Sequence, residues 1–328
     1  MPFSPCPTHR LTALLASCLL IHAPIGLLAQ DQAADKKAKP KETSKKATTR
    51  QRPADALREA RQKLKELVPF RTEIVETIVV RGKQFRAAGK YMQGKGNRLR
   101  LEFELEVGRT KGSLIQVCDG TTLFTQQKIG LVVQATRRNV PRILKEMKQL
   151  SAGARPRPGQ FEADLGLGGL EALLGSLEQT MSFNKRREQT FQDRPFIIIE
   201  GIWNATFLEA LTDDDQVDGE GLPEYVPDRV RIYIDKATRF PHRIVYLKNT
   251  GSRKVLRPMV SLEFRNVQVN APLPDASFAF KPDSGVRVQD VTDDYIRQIR
   301  QAQSQGAATG EGAGQAGGSS PAGRPRSR

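Results

Sequence analysis

Few residues of this chain have the types and spacing that chemistry requires. His242 is the only histidine after His22, and Cys118 the only cysteine after Cys18. A zinc site needs several such ligands, and a Ser-His-Asp arrangement needs an imidazole set between two partners. No cluster of His or Cys exists to hold zinc, and no His-centred triad can be drawn from several imidazoles. Asp213-Asp214-Asp215 with Asp218-Gly219-Glu220 hints at calcium, but Val217 breaks the alternate ligand series and Tyr225 stands where a closing glutamate should be. The run reads as an acidic solvated loop. Gly166, Gly168 and Gly169 do not have a phosphate-cradling spacing, and no Gly-x-Ser-x-Gly elbow occurs. Cys118, before the Asp119-Gly120 turn and without a basic neighbour, reads as a small buried hydrophobe. His242, after Pro241, reads as structural. These residues point to a non-enzyme with no metal and no cofactor.

What remains is grease and charge, unevenly spread. The chain has 328 residues and a formal net charge of +16. His9 and Arg10 precede an apolar run from Leu11 to Ala29, the charged-greasy-small order of a cleaved signal peptide over 1–29. Pro24 and Gly26 inside the run speak against a membrane anchor. Leu15-Ala16-Ser17-Cys18 is a rival lipobox, but Leu19-Leu20-Ile21 continue the grease beyond Cys18. With Cys118 alone in the remaining chain, no intramolecular disulfide is available. Residues 30–52 read as a disordered basic linker, and 301–328 as a disordered Gly/Ala/Ser-rich tail. The folding part is 53–300. Export and the lack of aromatics among the lysines argue against nucleic acid. The linker suits a solvated tether, or an adhesive for anionic lipid or cell-wall polymer in an envelope-associated scaffold.

Within 53–300, Pro53 suits a helical first turn, and Leu57, Ala60, Leu64, Leu67 and Val68 share one face before Pro69 ends the helix. Leu99, Leu101, Phe103, Leu105 and Val107 alternate with Arg100, Glu102, Glu104 and Glu106, which requires one wet and one buried strand face. Further strands are expected at 72–80, 83–93, 112–118, 122–127, 130–136, 181–191, 195–203, 229–236, 240–248, 258–269 and near Phe278–Phe280. Short glycine-marked connections suit antiparallel neighbours. Asn139 can cap a helix carrying Val140, Ile143, Leu144, Met147 and Leu150. A second, glycine-interrupted helix carries Leu167, Leu170, Leu173, Leu174 and Leu177, and a last one starts at Thr292. The fold class is mainly β (α+β).

Four stretches then share an order. They are Gly89-Lys90-Tyr91-Met92 through Lys95-Gly96-Asn97 to Phe103; Ile115 through Cys118-Asp119-Gly120 to Phe124; Ile232-Tyr233-Ile234-Asp235 through Thr238 to Ile244; and Phe278-Ala279-Phe280 through Pro282 to Val288. Together they resemble the bacterial outer-membrane lipoprotein carrier (LolA/LolB-like) superfamily, as a divergent member. The resemblance implies a curved antiparallel sheet forming a half-open barrel, with helices as a lid over an apolar cavity. It also implies a periplasmic carrier of lipid or lipoprotein acyl chains, a monomer, with an inner-membrane transporter or outer-membrane receptor as partner. The family's lid-latching Arg-Pro pair is replaced by Lys95-Gly96, which keeps a charge but loses the planar fork. The chain also carries insertions at 153–164 and 209–227.

On this reading Tyr91, Leu99, Leu101, Phe103, Leu105, Leu123, Leu170, Leu173, Leu174, Ile232 and Ile234 line the cavity, and Lys95 latches the lid. The same residues could simply pack on one another as a core. The sequence leaves both open.

Overall fold

The computed structural model describes residues 51–80, 82–107, 110–151, 165–212, 222, 224, 226–250 and 255–304. The signal region, most of the linker, the insertion 153–164, the acidic run 213–220 and most of the tail lie outside the described residues.

Helix α1 (Pro53–Leu67) opens the fold and buries Ala56, Leu57, Ala60 and Leu64. Six strands follow as a meander: β1 (Phe70–Val80), β2 (Lys83–Gln93), β3 (Arg98–Val107), β4 (Thr110–Asp119), β5 (Thr122–Ile129) and β6 (Val132–Asn139). Helices α2 (Val140–Ser151) and α3 (Gly169–Thr180) interrupt. Then come β7 (Met181–Phe191), β8 (Arg194–Trp203), α4 (Ala205–Thr212), β9 (Arg229–Asp235), β10 (Pro241–Thr250) and β11 (Val255–Val269). A 3-10 turn (Asp275–Phe278), β12 (Val288–Asp290) and α5 (Thr292–Ser304) close the described chain.

All strands join one sheet of 12, ordered β12-β6-β5-β4-β3-β2-β1-β11-β10-β9-β8-β7. It is curved and does not close into a barrel; β7 and β12 are its two edges. The two meanders meet at a single antiparallel seam, β1 against β11, where Ile74 faces Phe264 and Ile78 faces Val260.

Two sequence expectations need correction. The sheet is not wholly antiparallel: β12 runs parallel to β6, with Val288 opposite Ala135. The expected strand at Phe278–Phe280 is instead the end of the 3-10 turn and the coil after it. The Phe-x-Phe alternation is real, but it serves packing across the strands. Phe278 is buried with the Arg98 guanidinium 5.4 Å from its ring centre, and Phe280 stacks on Phe124 at 4.9 Å. Arg100 donates to the carbonyls of Ser277 and Ala279, and the Asp283 amide donates to Gln126. Residues 275–283 thus strap the sheet face opposite the one that carries Leu101.

The helices cover the inner face, where odd-numbered β3 residues point. Two cores result. The larger joins α1 and α3 to the inner residues of β1–β3 and β8–β11. The smaller joins Leu99, Cys118 and Leu123 to Val140 and Ile143 of α2 and Ile296 of α5. Asn139 caps α2 through its side chain, which accepts from the Arg142 amide at 3.0 Å.

Candidate binding face

The sequence candidates fall on the inner face, but not in one group. Tyr91, Leu101, Phe103, Leu105, Leu170, Leu173, Leu174, Ile232 and Ile234 belong to the larger core. Leu99 and Leu123 belong to the smaller one, beneath α2 and α5. Leu101, Leu123, Leu170, Leu174, Ile232 and Ile234 are 0% exposed. They touch the chain's own side chains: α1 and α3 pack on the larger core, α2 and α5 on the smaller. The inner face is thus occupied by the chain's own helices.

Sequence reasoning missed the aromatic centre of the face. Phe70 lies edge-on to Phe240 at 5.3 Å, Phe240 to Phe264 at 6.0 Å, and Tyr91 sits 5.8 Å from Phe70. Edge-to-face packing of this kind contributes about 0.5–1.5 kcal/mol per pair beyond buried area. These residues come from β1, β2, β11 and the connection before β10, so no local pattern joins them. Along one register row the face changes character: Tyr91, Leu101, Gln116, Thr125 and Thr136 stand side by side from β2 to β6. The apolar floor therefore ends at β4, where Gln116 is itself buried.

Three sets of contacts hold α3 down. Its leucines Leu170, Leu173, Leu174 and Leu177 are buried on one side. At its start, the Leu170 amide donates to the Tyr91 hydroxyl at 3.1 Å and to Gln93 Oε1 at 3.3 Å, while the Tyr91 hydroxyl donates to Gln93 Oε1 at 2.8 Å. Full burial pushes the Tyr91 phenol above its ordinary pKa, so it stays a neutral donor and acceptor. Gly169 makes this approach feasible: its φ is +69°, and a Cβ there would lie 2.7 Å from Gln93 Oε1. Along its length, Arg61 of α1 bonds Glu171 at 2.7 Å and Glu178 at 3.1 Å, and Arg58 bonds Glu178 at 3.0 Å. Gly175 leaves the space this crossing needs, since a Cβ there would lie 2.9 Å from the Arg61 guanidinium carbon.

Lys95 lies away from these contacts. It is exposed in the β2–β3 turn, where its carbonyl accepts from Arg98 Nε at 3.2 Å. The side chains that reach the start of α3 are Tyr91 and Gln93. Lys95, expected to latch the lid, is thus not among the side chains at the start of α3.

Cys118 is buried, and burial raises its thiol above the ordinary range. The His242 ring meets the Phe264 carbonyl through Nδ1 at 3.2 Å and Arg194 through Nε2 at 3.4 Å. Among the described residues no group of three or more metal-ligating side chains converges, and no helix is long and apolar enough to cross a membrane.

No family model and no curated protein matches this chain. Solved structures do. A DUF1329 family protein from Desulfovibrio piger matches at 12% identity and TM-score 0.32, over 72% of this chain and 100% of the other. A putative outer membrane lipoprotein-sorting protein domain from Vibrio parahaemolyticus matches at 11% and 0.30, over 69% and 95%. A LolA superfamily protein from Nitrosomonas europaea matches at 10% and 0.27, over 70% and 99%. At such identities and scores the likeness carries no argument about what this chain binds.

Proposed function

We propose that the protein is a non-catalytic periplasmic carrier that shelters lipid or lipoprotein acyl chains on the inner face of its sheet, in place of α3. The observation that carries this reading is the cover itself. An apolar, aromatic-centred floor is roofed not by a second sheet but by two helices, α1 and the short glycine-containing α3, and α3 is fastened at one end by hydrogen bonds and along one side by partly exposed ion pairs.

The energetics suit an exchange. Lifting four buried leucines costs roughly 6–12 kcal/mol, at about 1.5–3 kcal/mol each. An acyl chain settling on the same floor returns roughly 0.8 kcal/mol per buried methylene, so a long chain approaches the same figure. The two occupants are close in free energy, as a carrier that must release its cargo requires. The polar row from Gln116 to Thr136 stands where a headgroup or water would meet the end of the apolar floor. Delivery would involve an inner-membrane transporter or an outer-membrane receptor. Lipid extraction and mass spectrometry of the purified chain, with titration of a fluorescent fatty acid, test the proposal. Co-purified lipid or saturable fatty-acid binding is expected. A folded chain that neither carries nor binds lipid overturns it.

A further inference from the structure

The end of the sheet opposite α2 carries a second surface. β1, β3, β5, β8 and β10 run toward it and β2, β4, β6, β9 and β11 run back, so the β5–β6 turn lies at that end, with the last residues of β1 and the first of β2 and β4. Large apolar side chains stand in water there: Leu131 at 101% exposure, Val132 at 60% and Val80 at 48%. Exposed lysines flank them: Lys83, Lys111 and Lys128. The Gly130 amide donates to the Lys111 carbonyl at 3.1 Å, which sets the Leu131 tip beside Lys111. By register Lys111 and Lys128 share one face of adjacent strands, because Lys128 stands opposite Ser113. The register also places Glu106 opposite Lys111, and the acidic run 213–220 belongs to the connection before β9, so the cationic character is that of the β1–β6 half.

We infer that the β5–β6 tip docks on an anionic lipid bilayer, Leu131 entering the headgroup–acyl boundary while Lys111 and Lys128 meet lipid phosphates. The argument is charge and geometry. A single exposed apolar residue is ordinary on a soluble surface, but Leu131 and Val132 are adjacent at one turn and Lys111 and Lys128 flank them, an arrangement that gains from both the interface and its negative potential. Nothing in it depends on whether the inner face holds an acyl chain.

The test uses the full chain bearing Leu131→Trp, with mixed phosphatidylethanolamine–phosphatidylglycerol vesicles and phosphatidylcholine vesicles as control. The parent's single tryptophan, the buried Trp203, supplies the background. The new emission is expected to shift to the blue on the anionic vesicles and to be quenched by brominated acyl chains. Lys111→Gln with Lys128→Gln should weaken that response by roughly fivefold per charge removed. The basic segment before residue 53 can bind such vesicles by itself, so sedimentation does not decide the matter; the local emission does. Val132→Trp gives a second reporter if the first variant is poorly folded. Emission unchanged by vesicles at both positions overturns the inference, whether or not the chain sediments and whether or not it binds fatty acid.

Discussion

At the scale of single residues, His242 sets a pH limit on the fold. Burial lowers its pKa, with the Arg194 charge acting in the same direction and the Phe264 carbonyl opposing. The unfolded chain takes up a proton near the ordinary histidine pKa of about 6.5, while the folded chain resists until lower pH. The unfolded state then binds more protons, so stability falls as pH drops through that region. Urea unfolding midpoints should decline between about pH 7 and 5.5, and His242→Asn should flatten the decline. Glu59, Asp119, Glu188, Glu263 and Asp290 have lowered pKa values, so the stability they contribute is lost further down, below about pH 4.5. A midpoint that is level across the upper window in the parent rules this role out. The sequence marked His242 as structural, which its neighbours support. It could not mark Tyr91 and Gln93 as the groups under the start of α3, because their partner amide lies more than seventy positions away and no spacing rule connects them.

At the scale of elements, α1 and α3 behave as a fastened pair. Arg61 spans them, but its side chain is 34% exposed and its partners 28% and 21%, so the two bonds together stabilise by no more than about 1 kcal/mol. Arg61→Ala should raise amide exchange across Gly169–Thr180 by roughly two- to fivefold and leave the central strands β1 and β2 unchanged. Equal acceleration in helix and strands would mean that the variant loosens the whole fold and not the cover. Element types were well legible: strict alternation announced β3, three-four spacing announced α1, and Asn139 announced the start of α2. Side-chain period, however, gives only a face. Leu99 and Leu101 share theirs, yet one lies beneath α2 and the other beneath α3. Position along a strand relative to helices elsewhere in the chain is not written in either pattern. The strap at 275–283 was missed for the reverse reason: Phe278 and Phe280 have a strand's period without a strand's ladder.

At the scale of the molecule, an open sheet must manage its edges. β6 would present a bare row of backbone groups if β12 did not lie along it, held by the Arg137–Asp290 pair and by α5, whose Ile296 completes the smaller core. Ending the chain at residue 287 should therefore produce concentration-dependent self-association, seen by light scattering, that the full chain does not show. A truncated chain that stays monodisperse would mean the edge needs no cover. The parallel sense of this pairing was not legible, because three residues are too few to carry a pattern.

The seam between β1 and β11 has a consequence for how the molecule is made. Apart from β8 and β9, whose nearest pair is Gly201 with Val230, the hairpins of both halves can close from residues a few places apart, but Phe70 must wait for Val269. A chain synthesised from its N-terminus has five-sixths of its folding part in hand before that border is occupied, and until then the richest apolar strand of the first half has a vacant flank. Loop closure over such a span is slow compared with hairpin formation. The newborn polypeptide is therefore most vulnerable to wrong partners late in its synthesis, at a place that in the finished molecule looks like the safest in the sheet.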